Sequence, residues 1–362
     1  MSNLFKNNNN EPKEYNYGLA ILKIWMCFEV IIVHFMDWNG ETLCTLSLPM
    51  RTLLRYCGLA VPIFMLSSFT LTDMSKLSKD NAKLKHRFYR LLLPHFFWAF
   101  VYFGVYTIID KWKGLELEHG ISDLLWQLAL GHSINQTEWF QIEIIVLTML
   151  FVIIFRFLSK QNALKTSFLI CLFALFIQYS GKNGHLFDNV IWAENFHSDY
   201  VTYPIGRFCE MIPYAVIGIM LCNSELLNIL RKQWIFTVFI SFLMLCWLFK
   251  YDVFSGVEPQ YGYAGLRCIV PGTVSVILFY SFPLHWLPAR MKSFIRFLSK
   301  YTMAVYFIHR LIATLLYNTQ LNTLLGLRTG SLYDCTIIFI ICILVAWLIH
   351  QIPIKMIKDT IA

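Results

Sequence analysis

The sequence predicts an all-α polytopic membrane protein with about ten transmembrane helices and both termini in the cytoplasm. Three observations carry this prediction. Hydrophobic residues make up 57% of the 362-residue chain and charged residues only 14%, with a mean hydropathy of +0.56, whereas soluble domains average about 25% charged residues. The apolar residues form long continuous runs rather than alternating ones, which excludes a closed barrel. The basic residues gather in the connections that fall on one side of such a helix array.

The candidate spans are 17–37, 53–73, 90–110, 139–158, 165–180, 205–222, 234–250, 264–284, 299–318 and 334–354. The first follows a polar, Asn-rich stretch at 1–16 and is too long for a cleavable signal peptide, so it reads as a signal anchor. The second leads into a connection carrying Lys76, Lys79, Lys83, Lys85, Arg87 and Arg90, and the third begins as that charge ends. Ile121–His132 is too short to cross about 30 Å of hydrocarbon and is expected to lie at the interface or re-enter. The fourth span opens at Trp139 and closes near Arg156; the fifth, the shortest, follows Lys160 and Lys165. Arg231 and Lys232 follow the sixth, and Lys250 closes the seventh. Arg290, Lys292, Arg296 and Lys300 separate the eighth from the ninth, while Lys355 and Lys358 follow the tenth.

With Lys6 and Lys13, the basic residues on one side outnumber those on the other (Arg51, Lys111, Lys113, Lys182, Lys250, Arg328) about threefold, which sets that side in the cytoplasm. The net charge of +8 is therefore a topology signal, and no nucleic-acid partner is implied. The ten cysteines lie mostly inside spans without a C-x-x-C pair, so neither a disulfide framework nor a metal site is expected. Walker and G-x-G-x-x-G loops are absent, and no connection is long enough for a second domain. The expected organisation is a disordered tail at 1–16, one membrane domain at 17–357 and a short tail at 358–362.

Polar residues inside apolar spans are expensive, which makes them candidate site residues. Lys23 and His34, eleven residues apart, fall on one helical stripe about 20° apart in azimuth and ~16 Å apart along the axis. A snorkelling lysine and a headgroup-level histidine are the competing account. Arg87 and Arg90, at i and i+3 before Pro94, share a helix face suited to phosphate oxygens, or to anionic lipid headgroups. Glu143 lies one turn into the fourth span after Trp139, at a depth similar to His34, where a carboxylate can orient an imidazole. Glu29 lies on a different face of the first span, and Arg207 with Glu210 reads as a structural ion pair. His309 and Arg310 fall mid-span in the ninth run, either as site residues or as a buried contact between helices.

These residues, in this order, resemble the acyltransferase-3 family of integral membrane acyltransferases. The family's basic residue, ten spacers and histidine are matched by Lys23 and His34, with lysine in place of the commoner arginine. Its phenylalanine followed by Ser-Gly-Phe is matched by Phe64 and Ser67-Ser68-Phe69, with Ser68 where glycine is usual. Arg87, Arg90 and Pro94 match its R-x-x-R before an apolar-Pro turn. Trp139 and Glu143 resemble its Trp-Glu element with a spacing one residue shorter. Ser299 followed by Tyr306-Phe307-Ile308-His309 resembles its Ser…Tyr-x-x-His signature. The resemblance runs from about Tyr15 to the tenth span.

The resemblance implies a membrane-bound O-acyltransferase, by precedent an O-acetyltransferase, in the bacterial cytoplasmic membrane. Acetyl-CoA or another acyl-CoA would be the donor and a cell-surface or lipid-linked polysaccharide the acceptor. His34 would act as general base or acyl relay, oriented by Glu143. Lys23, Arg87 and Arg90 would hold the donor's phosphates, and Trp139, Ser67, Tyr306 and His309 would line the substrate site. The alternative is a transporter or flippase of a lipid-linked sugar, which would call for internal symmetry between two halves that the sequence lacks.

Overall fold

The computed structural model of the protein describes residues 15–35, 56–114, 120–131, 134, 138–182, 202–254, 266–284, 286–317, 323, 325–327 and 331–354, and among them there are helices and no strands. The tail at 1–14, the tail at 358–362 and Lys6, Lys13, Arg51, Arg328, Lys355 and Lys358 lie outside the described residues.

α1 (Tyr17–Phe35) starts where the Asn16 side chain accepts the Leu19 N–H at 2.9 Å, satisfying a donor of the first turn. α2 (Ala60–Thr70) leads into the single turn α3 (Met74–Leu77), capped by the Asp73 carboxylate. Asp80 in turn caps α4 (Asn81–Lys113), which stops at Gly114 in the left-handed conformation at φ 67°. Inside α4, Pro94 removes one ladder donor. Leu91 O, in the turn preceding it, accepts Gln141 Nε2 from the neighbouring helix at 2.9 Å. The short α5 (Ile121–Leu130) precedes α6 (Trp139–Phe157) and α7 (Lys160–Lys182). α8 (Thr202–Asn223), α9 (Leu226–Lys232), α10 (Trp234–Phe254) and α11 (Leu266–Ser281) follow. The chain then forms the amphipathic α12 (Ala289–Lys300), α13 (Thr302–Tyr317) and α14 (Leu332–Gln351).

Each of the ten apolar runs overlaps a helix, and several of these reach spanning length among the described residues. α1, α4, α6, α7 and α14 are long and apolar enough to cross a membrane; α8 and α9 make a sixth if that pair, bent by 69°, is one span. The run 299–318 is interrupted at Tyr301, where the basic α12 gives way to the apolar α13. The 90–110 run belongs instead to a longer helix that extends back to Asn81 through the basic stretch.

α1 is the hub, packing against α2, α11, α12, α13 and α14. One core cluster joins α1, α2, α6, α8 and α11 around Leu22, Met26, Leu66, Phe69, Phe151 and Tyr214. The second joins α1, α4, α13 and α14 around Ile31, Trp98, Tyr102, Phe307 and Cys342. α8 approaches α2 closely because Gly218 has no side chain: a Cβ there would stand 2.7 Å from Leu66 O and 3.0 Å from Thr70 N. On the outside, Phe168, Phe173 and Phe176 of α7, Phe236, Phe239 and Trp247 of α10, and Leu344, Trp347 and Leu348 of α14 are exposed. Apolar patches of this extent suit lipid rather than water.

Candidate active site

The seam between the two cores holds the aromatic and imidazole groups that the sequence marks. Phe64 of α2, Phe140 of α6 and Tyr306 of α13 surround one another, with ring centroids 5.7 to 6.3 Å apart. Tyr306 lies 6.3 Å from the ring of His309, one turn further along α13. His309 is fully buried and its imidazole stacks on that of His34, centroids 5.2 Å apart and planes inclined by 28°. His34, near the end of α1, is the more exposed residue of the pair. Arg310 lies close enough to act electrostatically on both rings.

The protonation pattern of His309 follows from its neighbours. Its Nδ1 lies 2.8 Å from Tyr306 O and 3.2 Å from Val305 O. Carbonyl oxygens only accept, so Nδ1 carries a proton. In the neutral ring the lone pair is then on Nε2, which is buried and, among the described residues, has no hydrogen-bond partner.

A cationic group lies toward the other end of α1. Lys23, half-buried, feels the charge of Arg90 on α4, and Arg87 feels Arg90 as well. Among the described residues, none of the three makes an ion pair with a carboxylate. They are not equivalent. Arg87 donates from Nη1 to Thr72 Oγ1 at 2.7 Å and from Nη2 to Ser68 Oγ at 3.2 Å and Thr148 Oγ1 at 3.3 Å, clamping α2 and α6 to α4. Its guanidinium also lies 5.8 Å from the centre of the Phe69 ring. Arg90 is exposed and makes none of these contacts. Ser68, at the position where the family resemblance expects glycine, thus supplies part of the Arg87 clamp.

Glu143 is buried on α6, with Oε2 lacking a hydrogen-bond partner. Its electrostatic neighbours are Arg207 and Glu210 of α8. Arg207 Nη1 pairs with Glu210 Oε2 at 3.3 Å, and its guanidinium lies 5.3 Å from the centre of the Trp139 ring. Trp139 and Glu143 therefore belong to this second charged cluster. Among the described residues no hydrogen bond, ring contact or electrostatic contact joins Glu143 to His34. Ser67 is buried on α2 with its hydroxyl unpartnered.

Three buried groups escape sequence reasoning. His95 of α4 donates from Nε2 to Leu128 O at 3.0 Å, turning Nδ1 toward Glu138 Oε2 at 3.4 Å, with both side chains fully buried. Gln127 Nε2 donates to the same carboxylate oxygen at 2.9 Å while Gln127 Oε1 accepts the Ile134 N–H at 2.8 Å, which ties α5 and its return loop to α4 and α6. Tyr102 is the third, buried between α4 and α13. Glu138 adjoins the Trp139 that the sequence does mark, and His95 adjoins Pro94. In an apolar run, Tyr102 carries no distinguishing pattern.

Among the described residues no group of three His, Cys, Asp or Glu side chains is gathered to hold a metal. The groups gathered at the seam and along α1 are two imidazoles, the cations Lys23, Arg87 and Arg90, the buried Ser67 hydroxyl and aromatic walls. A family model described as an acyltransferase domain matches residues 16–351. No curated protein and no solved structure matches the chain.

Proposed function

The chain belongs to the acyltransferase-3 family, and from that premise we propose that it moves an acyl group, acetyl in the first instance, from cytoplasmic acyl-CoA to a hydroxyl of a cell-surface or lipid-linked polysaccharide. The observation that carries this reading is the ring of His34, on the same helix as Lys23, stacked on that of the buried His309. The eleven-residue separation spans ~16 Å of α1, comparable to the pantetheine arm of the donor.

Acyl-CoA docks with its phosphates on Lys23 and Arg90, beside the clamped Arg87, and its thioester reaches His34. His34 takes the proton of the acceptor hydroxyl as the oxygen attacks the thioester carbon. The tetrahedral oxyanion collapses, the carbon–sulfur bond breaks, and the imidazolium returns its proton to the departing thiolate. In the covalent variant the His34 nitrogen attacks the thioester carbon, the carbon–sulfur bond breaks and the CoA thiolate leaves with the imidazole's proton; the acceptor hydroxyl then attacks the acyl-imidazole, and its proton passes to the imidazole nitrogen that is released. Ser67 is a donor available for the oxyanion, and Trp139, Glu143, Tyr306 and His309 shape the acceptor's approach. An array of ten spans with both termini cytoplasmic, in a single domain over 17–357 of a bacterial inner membrane, is the setting that the basic residues support.

The test uses membranes containing the protein, acetyl-CoA labelled in the acetyl group and a His34→Ala control. Label passing into a glycan fraction with the wild type and not with the variant supports the reading. Label held on the wild-type protein supports the covalent variant. No consumption of acetyl-CoA, with a lipid-linked sugar redistributed across the membrane, overturns it in favour of a flippase.

A further inference from the structure

Tyr102 makes two hydrogen bonds into α13, and both involve groups that a regular helix would pair with each other. Its hydroxyl donates to Phe307 O at 2.6 Å and accepts the Leu311 N–H at 3.1 Å. In an unbroken α-helix the N–H of residue 311 bonds the carbonyl of residue 307. The phenol therefore bridges, from outside, the turn of α13 that contains His309. One turn earlier on α4, the Trp98 ring lies nearly parallel to that of Phe307, with centroids 6.3 Å and planes 10° apart. Helix α4 thus grips α13 just before His309 and again across the turn that carries it.

The consequence falls on the imidazole. His309 folds back on its own helix, giving its Nδ1 proton to Tyr306 O and Val305 O, and leaves Nε2 as a buried acceptor with no partner among the described residues. A buried acceptor left unpaired is unfavourable, so this arrangement persists only if the surrounding structure holds it there. The surroundings that do so are the Tyr102 bridge on one side of the turn and the His34 ring against its face. A group able to satisfy Nε2 must bring a hydrogen, as a hydroxyl does.

We infer that Tyr102 is a positioning residue: by bridging Phe307 O and Leu311 N it holds His309 with Nε2 turned out as an acceptor for the hydroxyl-bearing substrate beside His34. The inference rests on the acyl-transfer reading for its kinetic consequence, but its geometric content stands apart from that reading. The informative variant is Tyr102→Phe. It keeps the ring and its packing, and the two released backbone groups can pair with each other as in a regular helix, so the fold has a route to accommodate it. The turn then loses both bonds to α4, and His309 shifts.

Two readouts separate the inference from the reading beneath it. The first is solid-state NMR of protein labelled with ¹⁵N-histidine in lipid vesicles without substrate, the His309 signals being those lost in His309→Gln. The wild type is expected to show a protonated Nδ1 and an unprotonated Nε2, and Tyr102→Phe to shift these signals or mix the two tautomers. The second is acetyl transfer from labelled acetyl-CoA. Tyr102→Phe is expected to lower kcat about tenfold or more while KM for acetyl-CoA stays within about twofold, and to cause no further loss in a His309→Gln background. Unchanged histidine signals, or the same fold-loss with and without His309, overturn the inference. Signals altered by Tyr102→Phe, together with a wild-type protein that transfers no acetyl group, support the placement of His309 by Tyr102 and overturn the acyl-transfer reading instead.

Discussion

The imidazoles of His34 and His309 lie one over the other, 5.2 Å between centroids, although they come from helices at opposite ends of the chain. His34 is the more exposed residue of the two, so they are expected to act unequally. Replacing His34 with alanine should abolish general-base catalysis, lowering kcat by about 10²–10⁴-fold, with little change in binding of the acyl donor. His34→Gln should not restore activity, because an amide does not take a proton at neutral pH. Donor binding measured with a non-hydrolysable acyl-CoA analogue, alongside turnover, checks both halves of the claim.

Lys23 and Arg90 approach each other without a carboxylate between them, and Arg87 is committed to Thr72, Ser68 and Thr148. Two kinds of loss should follow. Lys23→Gln and Arg90→Gln are expected to raise KM for acyl-CoA by roughly three- to thirtyfold at low salt, with the difference shrinking as salt screens the phosphates. Arg87→Gln should also lower thermal stability, and Arg87→Lys should not rescue it, since one ammonium cannot reproduce a planar fork. Kinetics at two ionic strengths and a melting curve in detergent distinguish the two cases.

Gly218 is where α8 meets α2. Adding a side chain forces it against the backbone at Leu66 and Thr70, which cannot move as a flexible side chain would. Gly218→Val is expected to destabilise the protein by about 1–3 kcal/mol or to displace the helix pair, whereas Gly104→Ala, with open space around it, should be well tolerated. Melting temperatures of the two variants provide the comparison.

The turn between α2 and α4 should loosen in acid. The Lys83 backbone N–H, then its ammonium, hold the Asp80 carboxyl below its usual range. Burial opposes the same effect at Asp73, but hydrogen bonds from Ser75 and the Lys76 N–H outweigh it and keep this carboxyl low as well. A carboxyl lowered by folding contributes its full stabilisation above its unfolded value, near 4, and loses it as pH falls through the lower folded value. Amide hydrogen exchange over residues 73–84, corrected for intrinsic rates, should therefore accelerate below about pH 4. Asp80→Asn should weaken that dependence at the start of α4.

Much of the arrangement is legible in the chain because it depends on local sums. Hydropathy marked where α1, α4, α6, α7 and α14 run, and helical periodicity placed Lys23 and His34 on one helix. Helix ends were less legible: an apolar run does not reveal where the ladder breaks, as between α12 and α13 at Tyr301 or at the bend after Asn223. The neighbours of Glu143 were not legible at all. Its depth suggested an approach to His34, but helix rotation turns it toward Arg207 and Glu210 of α8. His95, Glu138 and Tyr102 went unmarked because a polar residue near the start of an apolar run, or a tyrosine within one, looks the same whether it meets headgroups or a buried carbonyl.

The sequence by itself determined the helical class, the apolar character, the motifs and the family, since each is written in residues close together along the chain. Only the tertiary structure decided which polar groups share an environment: His34 with His309, Lys23 with Arg90, Tyr102 with the turn of α13 that it bridges. Those pairings depend on the rotation and depth of helices that pack far apart in sequence. Close packing and the need to satisfy buried polar groups set that rotation, and both are properties of the assembled core rather than of any one segment.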